Sequence, residues 1–150
     1  ELIGSGGIPD LEFQNFEGAA PAFTVFGDIA ATEVIANPDA SGINTTGNVA
    51  QLTKSNGSQV WAGTFFEVGT PLDLSSYTKI SVKTWSPKSG IVVKLKLENA
   101  DASIVHEQDL NTSVTNTWEE LVYDFSGAPA ADYVRVVIFF DFGTAGDDSV

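Results

Sequence analysis

The chain has 150 residues, enough for one domain with a substantial buried core. Its 7 Lys and Arg residues against 20 Asp and Glu residues give a formal net charge of −13, which disfavours binding to nucleic acid or to anionic membrane surfaces. Because there is no cysteine, disulfides are excluded, and no apolar run is long enough for insertion into a membrane.

Short apolar runs separated by turn residues occupy most of the chain. They follow a Gly-, Ser- and Pro-containing start at residues 1–10, which is interpreted as a linker within a larger multidomain protein. Residues 11–150 are predicted to form one module. Its strands are predicted at residues 11–17, 23–26, 32–36, 49–53, 60–67, 79–85, 91–98, 104–108, 118–125 and 134–142. Residues 142–150 are interpreted as a turn that leads into another strand. Because no helical pattern lies between these strands, we predict an all-β fold, an antiparallel β-sandwich or jelly roll.

The two faces of the predicted strands differ in polarity, because successive side chains of a strand point to opposite sides. In residues 91–98, for example, Val93 and Leu95 alternate with Lys94 and Lys96. The apolar rows are expected to form the core between two sheets. The other rows are expected to line the outer face of one sheet, which gathers Lys79, Lys83, Trp85, Lys94, Lys96, Glu98, Arg135, Phe139 and Asp141.

Two interpretations of this predicted face stay open. Lysine and glutamate commonly cover a solvated sheet face, where each cross-strand ion pair adds roughly 0.3 kcal/mol. Trp85 instead indicates a contact surface, unless a loop covers it, because large exposed aromatic side chains are common in such surfaces. Trp61 is flanked by apolar rows and is expected to be structural.

Catalytic chemistry finds little support in the sequence. His106 is the only histidine, and no nucleophile motif accompanies it. Glu119 and Glu120 are adjacent on a predicted strand, so they point to opposite faces and cannot act together on one bond. The chain is therefore expected not to be an enzyme. Oxygen-rich loops and strand ends are typical of a structural calcium site, although Asp and Asn also favour turns for backbone reasons.

Three segments carry a resemblance to a known family: SSYTKISVKTWSPKSGIVVKLKLEN, WEELVYDFSG and VVIFFDFGTAGDDS. Together they resemble the galactose-binding-like jelly-roll carbohydrate-binding modules of the family 4/9 kind, which occur in bacterial glycan-degrading enzymes and surface glycan-binding proteins. The resemblance implies polysaccharide binding without catalysis, outside the cell or at the bacterial cell surface. It also implies a structural Ca²⁺ ion with Glu17 as a ligand and with Asp39 and Asn44 nearby.

The carbohydrate-binding site that we predict has Trp85 as its aromatic platform, because an indole can cover the flat C–H face of a sugar ring. Hydrogen-bond partners for the sugar hydroxyls are expected from Lys83, Lys94, Lys96, Glu98, Arg135 and Asp141. The expected ligand is a β-glucan such as laminarin. Two alternatives stay open: an acidic polysaccharide such as alginate, which the cations would attract, and a structural or interaction domain with no glycan ligand.

Overall fold

The computed structural model describes residues 9–149, so the predicted linker at residues 1–10 lies almost wholly outside the described residues. Within the described range the chain forms nine strands and no helix, and hence no helix that is long and apolar enough to cross a bilayer. The strands are β1 (Thr24–Phe26), β2 (Glu33–Ala36), β3 (Asn48–Gln51), β4 (Gly63–Glu67), β5 (Lys79–Trp85), β6 (Val92–Asn99), β7 (Val105–Asn111), β8 (Trp118–Asp124) and β9 (Tyr133–Phe140).

The strands form a sandwich of antiparallel sheets. One sheet has five strands in the order β1-β4-β9-β6-β7, and every neighbouring pair in it is antiparallel. The β5–β8 pair and the β2–β3 pair are separate two-stranded antiparallel sheets. Most neighbours in the large sheet are distant in sequence, which is typical of a jelly roll. The predicted all-β antiparallel sandwich is therefore confirmed.

The core lies between the five-stranded sheet and the β5–β8 pair, as the alternation of apolar residues predicts. Val93, Leu95 and Leu97 of β6 are almost fully buried. They belong to one apolar cluster with Ile80 of β5 and Tyr123 of β8. The Tyr123 hydroxyl donates to the Val93 carbonyl at 3.0 Å, so the buried polar group is satisfied, and burial raises the pKa of this tyrosine.

Several of the predicted strands differ from the structure in their existence or their bounds. Residues 11–17 form no strand and pair with none of the described strands, and Leu11 within them is 63% exposed. β4 begins at Gly63 because residues 59–62 form a hydrogen-bonded turn. β9 ends at Phe140, two residues before the predicted bound, and residues 142–149 form the turns and bends that were expected there.

Candidate functional site

The outer face of the five-stranded sheet carries an open groove of about 550 Å³ with mainly aromatic walls, which we call the aromatic groove. Its lining residues are Phe26, Trp61, Phe65, Lys96, Glu98, Val137, Phe139 and Phe142. They come from four neighbouring strands, from the turn before β4 and from the turn after β9. Because Val136, Ile138 and Phe140 pack in or against the core, the alternation of β9 turns Val137 and Phe139 outward into the groove.

Three aromatic rings form a row in this groove. Trp61 and Phe26 stack with ring centroids 6.2 Å apart and an angle of 12° between their planes. Phe65 continues the row at 6.5 Å from Phe26. Phe139 meets Phe26 edge-on at 5.4 Å, and Phe142 meets Phe139 edge-on at the same distance. Since Trp61 is 49% exposed, the row offers apolar ring surface to solvent.

Lys94 of β6 lies beside the groove and is held by two carboxylates of β7. Its ammonium is 2.7 Å from Glu107 and 3.1 Å from Asp109. It also lies 4.4 Å from the centroid of the Phe142 ring, within cation–π range. Burial lowers the pKa of Lys94, but the hydrogen bonds to the two carboxylates outweigh burial, so the pKa is raised overall. Lys94 is therefore a charged group that is already neutralised by its neighbours.

Glu98 joins the other two cations of this face. It binds Lys96 at 2.8 Å and Arg135 at 3.0 Å. Arg135 also binds Glu67 at 3.1 Å, and its guanidinium lies 4.8 Å from the centroid of the Phe65 ring. Burial raises the pKa of Glu98, but the hydrogen bonds from Lys96 and Arg135 lower it by more. The pKa of Glu98 is therefore lowered overall. The polar side of the groove is thus a connected network of ion pairs.

Five of the predicted binding residues lie on the five-stranded sheet or directly after it. They are Lys94, Lys96, Glu98, Arg135 and Asp141. Lys96 and Glu98 line the aromatic groove, while Lys94 and Arg135 contact rings that line it. Asp141 is buried in the turn after β9, and its backbone has a positive φ of 48°. The structure therefore brings four of these side chains to one surface.

Trp85 and Lys83 lie in the other layer of the sandwich, so the prediction that all these residues share one sheet face is wrong. Both belong to β5, which pairs with β8 and not with β6, and the same holds for Lys79. The chain crosses from one sheet to the other in the turn between β5 and β6, so these consecutive strands are not neighbours. Trp85 is half-buried and meets Trp118 edge-on at 5.6 Å, and the Trp118 indole N–H donates to the Asp39 carbonyl at 2.9 Å.

The sequence interpretation missed four aromatic residues of the groove, which are Phe26, Trp61, Phe65 and Phe142. Trp61 is half-exposed and lines the groove, whereas a structural role was expected for it. A phenylalanine within an apolar run is hard to distinguish from a core residue. One signal was present nevertheless: adjacent phenylalanines on a strand, as at residues 65–66 and 139–140, must point to opposite faces, so one of each pair leaves the core.

The three predicted calcium ligands are engaged by local hydrogen bonds. Glu17 accepts from the Asn48 N–H at 2.7 Å, and Asn44 Oδ1 accepts from the Thr46 hydroxyl at 2.8 Å. Asp39 accepts from a neighbouring serine hydroxyl. Within residues 9–149 no group of three or more His, Cys, Asp or Glu side chains is arranged to hold a metal ion. Since Ca²⁺ takes six to eight oxygens, the described side chains supply an incomplete set, and calcium stays a prediction.

Comparison with solved structures supports the fold. The chain is similar to the family 11 carbohydrate-binding module of the cellulosomal cellulase Lic26A-Cel5E of Clostridium thermocellum, with a TM-score of 0.60 and 14% sequence identity. The alignment covers 93% of this chain and 89% of that one. No family model matches the chain, and no curated protein matches it in sequence. The jelly-roll fold is confirmed, while carbohydrate binding and the family 4/9 assignment stay predictions.

Proposed function

We propose that this chain is a non-catalytic module that binds a neutral polysaccharide in the aromatic groove. The observation that carries the proposal is the row formed by Trp61, Phe26 and Phe65, because such rings can cover the C–H faces of successive sugar units. Each Å² of apolar surface that is removed from water contributes about 25 cal/mol to the binding free energy. Lys96 and Glu98 line the same groove and offer charged donors and acceptors to the sugar hydroxyls.

The charges of the groove favour a neutral polysaccharide over an acidic one. Lys94, Lys96 and Arg135 already bind carboxylates of the sheet, so an acidic chain would have to displace those carboxylates. The net charge of −13 adds repulsion at long range. The ligand that we propose is therefore a β-glucan such as laminarin, and an acidic polysaccharide such as alginate is the disfavoured alternative.

The likeness to a carbohydrate-binding module supports the same proposal. We further propose that the chain acts outside the cell or at the bacterial cell surface, as one module of a larger protein. The strongly acidic composition is compatible with such a location because it keeps an exposed module soluble.

Affinity gel electrophoresis tests the ligand, with laminarin or alginate in the gel at low and at high salt. We expect laminarin to retard the protein equally at both salt concentrations, with a Kd in the roughly micromolar to millimolar range. Trp61→Ala should remove the retardation. Retardation by alginate that disappears at high salt would support the acidic ligand instead. If no polysaccharide retards the protein, an interaction domain without a glycan ligand becomes the better hypothesis.

Calcium binding is a separate proposal, which comes from the family resemblance. Glu17 is its first candidate ligand, with Asp39 and Asn44 nearby. The local hydrogen bonds of these side chains mean that the loop would have to rearrange around the ion and add backbone or water oxygens. Thermal unfolding with added Ca²⁺ tests this proposal, as described below.

A further inference from the structure

Lys54, in the segment after β3, is a buried cation that lies outside the ion-pair network of the groove. It is only 1% exposed. Its ammonium donates to the backbone carbonyls of Asp141, at 2.6 Å, and Val60, at 3.2 Å. Burial lowers the pKa of Lys54, and the negative charge of Asp141 offsets part of this shift. A buried ammonium costs free energy unless hydrogen bonds satisfy it. The two carbonyls that Lys54 binds therefore indicate what role it has.

The two carbonyls belong to the residues directly before two aromatic walls of the groove. Val60 precedes Trp61, and Asp141 precedes Phe142. The Val60 carbonyl also accepts from the Gly143 N–H at 2.9 Å, so two donors hold the same turn. The ammonium therefore joins the turn before β4 to the turn after β9, which are separated by about 80 residues in sequence.

The backbone around Lys54 is fixed to the same C-terminal segment. The Lys54 carbonyl accepts from the Asp148 N–H at 3.1 Å, and the Gly57 N–H donates to the Gly146 carbonyl at 2.9 Å. Gly146 packs so closely that a Cβ there would lie 2.1 Å from the Ser55 carbonyl oxygen. The backbone of residues 54–58 is thus held in place by hydrogen bonds and close packing, and the Lys54 side chain extends from it to the two turns.

We propose that Lys54 is a positioning residue of the aromatic groove, which sets Trp61 and Phe142 in place by joining the turns that carry them. The proposal rests on the proposed polysaccharide binding for its functional meaning. A rigid, preformed groove binds more tightly because less ordering is needed when the ligand arrives. Lys54 contacts no ligand itself, so it acts only through these two aromatic residues.

Lys54→Met tests the proposal, because methionine keeps most of the apolar stem and removes the donors. Tyr123→Phe is the matched control, since it also removes a buried donor to a backbone carbonyl but lies in the core, away from the groove. We expect both variants to unfold at lower temperature. Only Lys54→Met should weaken laminarin binding, by about tenfold.

The indole N–H signals in a ¹H–¹⁵N correlation spectrum give a readout that does not depend on the ligand. The chain has three tryptophans, and Trp61→Ala identifies the signal of Trp61. In Lys54→Met the Trp61 signal should shift or broaden, while those of Trp85 and Trp118 stay in place. If Lys54→Met does not fold, Lys54→Gln serves in its place, because it removes the ammonium that joins the two carbonyls while its shorter amide side chain keeps the site polar.

An unchanged Trp61 signal together with unchanged affinity, in a variant that is less stable, would overturn the positioning role. The failure of the proposed function has a different result. In that case the unaltered protein binds no polysaccharide, yet the Trp61 signal still reports whether Lys54 holds the turn.

Discussion

The two outer faces of the sandwich both carry tryptophan and lysine, yet these side chains have different neighbours. On the β5–β8 face, Trp85 and Trp118 meet edge-on, and the Trp118 N–H is bound by the Asp39 carbonyl. On the side of the five-stranded sheet, Trp61 in the turn before β4 stacks on Phe26 and remains 49% exposed. The comparison shows that the composition of a face does not by itself identify a candidate binding surface. Ring planes that their neighbours leave open are needed as well.

The largest effect on stability is expected at Gly63, at the floor of the aromatic groove. The absence of a Cβ there leaves room for the Ile138 carbonyl oxygen and the Phe26 ring. A Cβ at this position would lie 2.6 Å from the Ile138 carbonyl oxygen and 2.9 Å from the Phe26 ring. Because β9 cannot move away without breaking its ladder with β4, Gly63→Ala should lower the free energy of unfolding by about 3 kcal/mol. Denaturant unfolding measures this loss of free energy. Gly69→Ala is the control, since a Cβ there would meet nothing within 4 Å.

A comparable loss in both glycine variants would contradict the close approach of β4 and β9. A large loss for Gly63→Ala alone would link the stability of this layer to the aromatic packing of the groove.

The next effect separates binding from stability on the two faces. Trp61→Ala should weaken laminarin binding by about 2 kcal/mol, roughly thirtyfold, with little change in the free energy of unfolding. Trp85→Ala should do the reverse: it loses its packing on Trp118 and about 1–2 kcal/mol of stability, while affinity stays within about twofold. Isothermal titration and denaturant unfolding of both variants measure the two effects. A loss of binding in Trp85→Ala alone would restore the site that was first predicted there.

Much of the fold could be predicted from the sequence, because alternation is a local property. β5 was predicted with its observed bounds, and the inward rows of β6 and β9 pack in or against the core. Alternation does not tell which strands become neighbours. The sequence interpretation placed the polar rows of β5 and β6 on one sheet, and this error moved Trp85 onto the wrong layer. Trp61 was missed for a related reason, since a turn before β4 interrupts the period on which its face was judged.

A smaller effect is expected from Glu98, which two cations bind in the groove. Glu98→Gln should lower the free energy of unfolding by about 1.5 kcal/mol at neutral pH, because it weakens the charged hydrogen bonds to Lys96 and Arg135. The lowered pKa of Glu98 means that its stabilising effect holds above the usual glutamate range and is lost as the pH falls through the folded-state pKa. The difference in the free energy of unfolding between Glu98→Gln and the unaltered protein should therefore become smaller at acid pH.

Thermal unfolding over a series of pH values checks this expectation. Glu120→Gln on the exposed face of β8 is the matched control and should change stability by less than about 0.5 kcal/mol at any pH. If Glu98→Gln differed from the unaltered protein by the same amount at neutral and acid pH, the ionised network would not be the source of the stability.

The smallest effect is expected from calcium, and it should fall on the β5–β8 layer, away from the aromatic groove. Asp39 supplies the carbonyl that holds the Trp118 indole, so an ion at the Glu17, Asp39 and Asn44 loop would steady the β5–β8 side. We expect Ca²⁺ to raise the free energy of unfolding by about 1 kcal/mol, which EDTA or Glu17→Gln should abolish and Mg²⁺ should not reproduce. Laminarin affinity should not change. Equal melting temperatures with Ca²⁺ and EDTA would remove the calcium site, and an affinity that falls with EDTA would contradict the independence of the two faces.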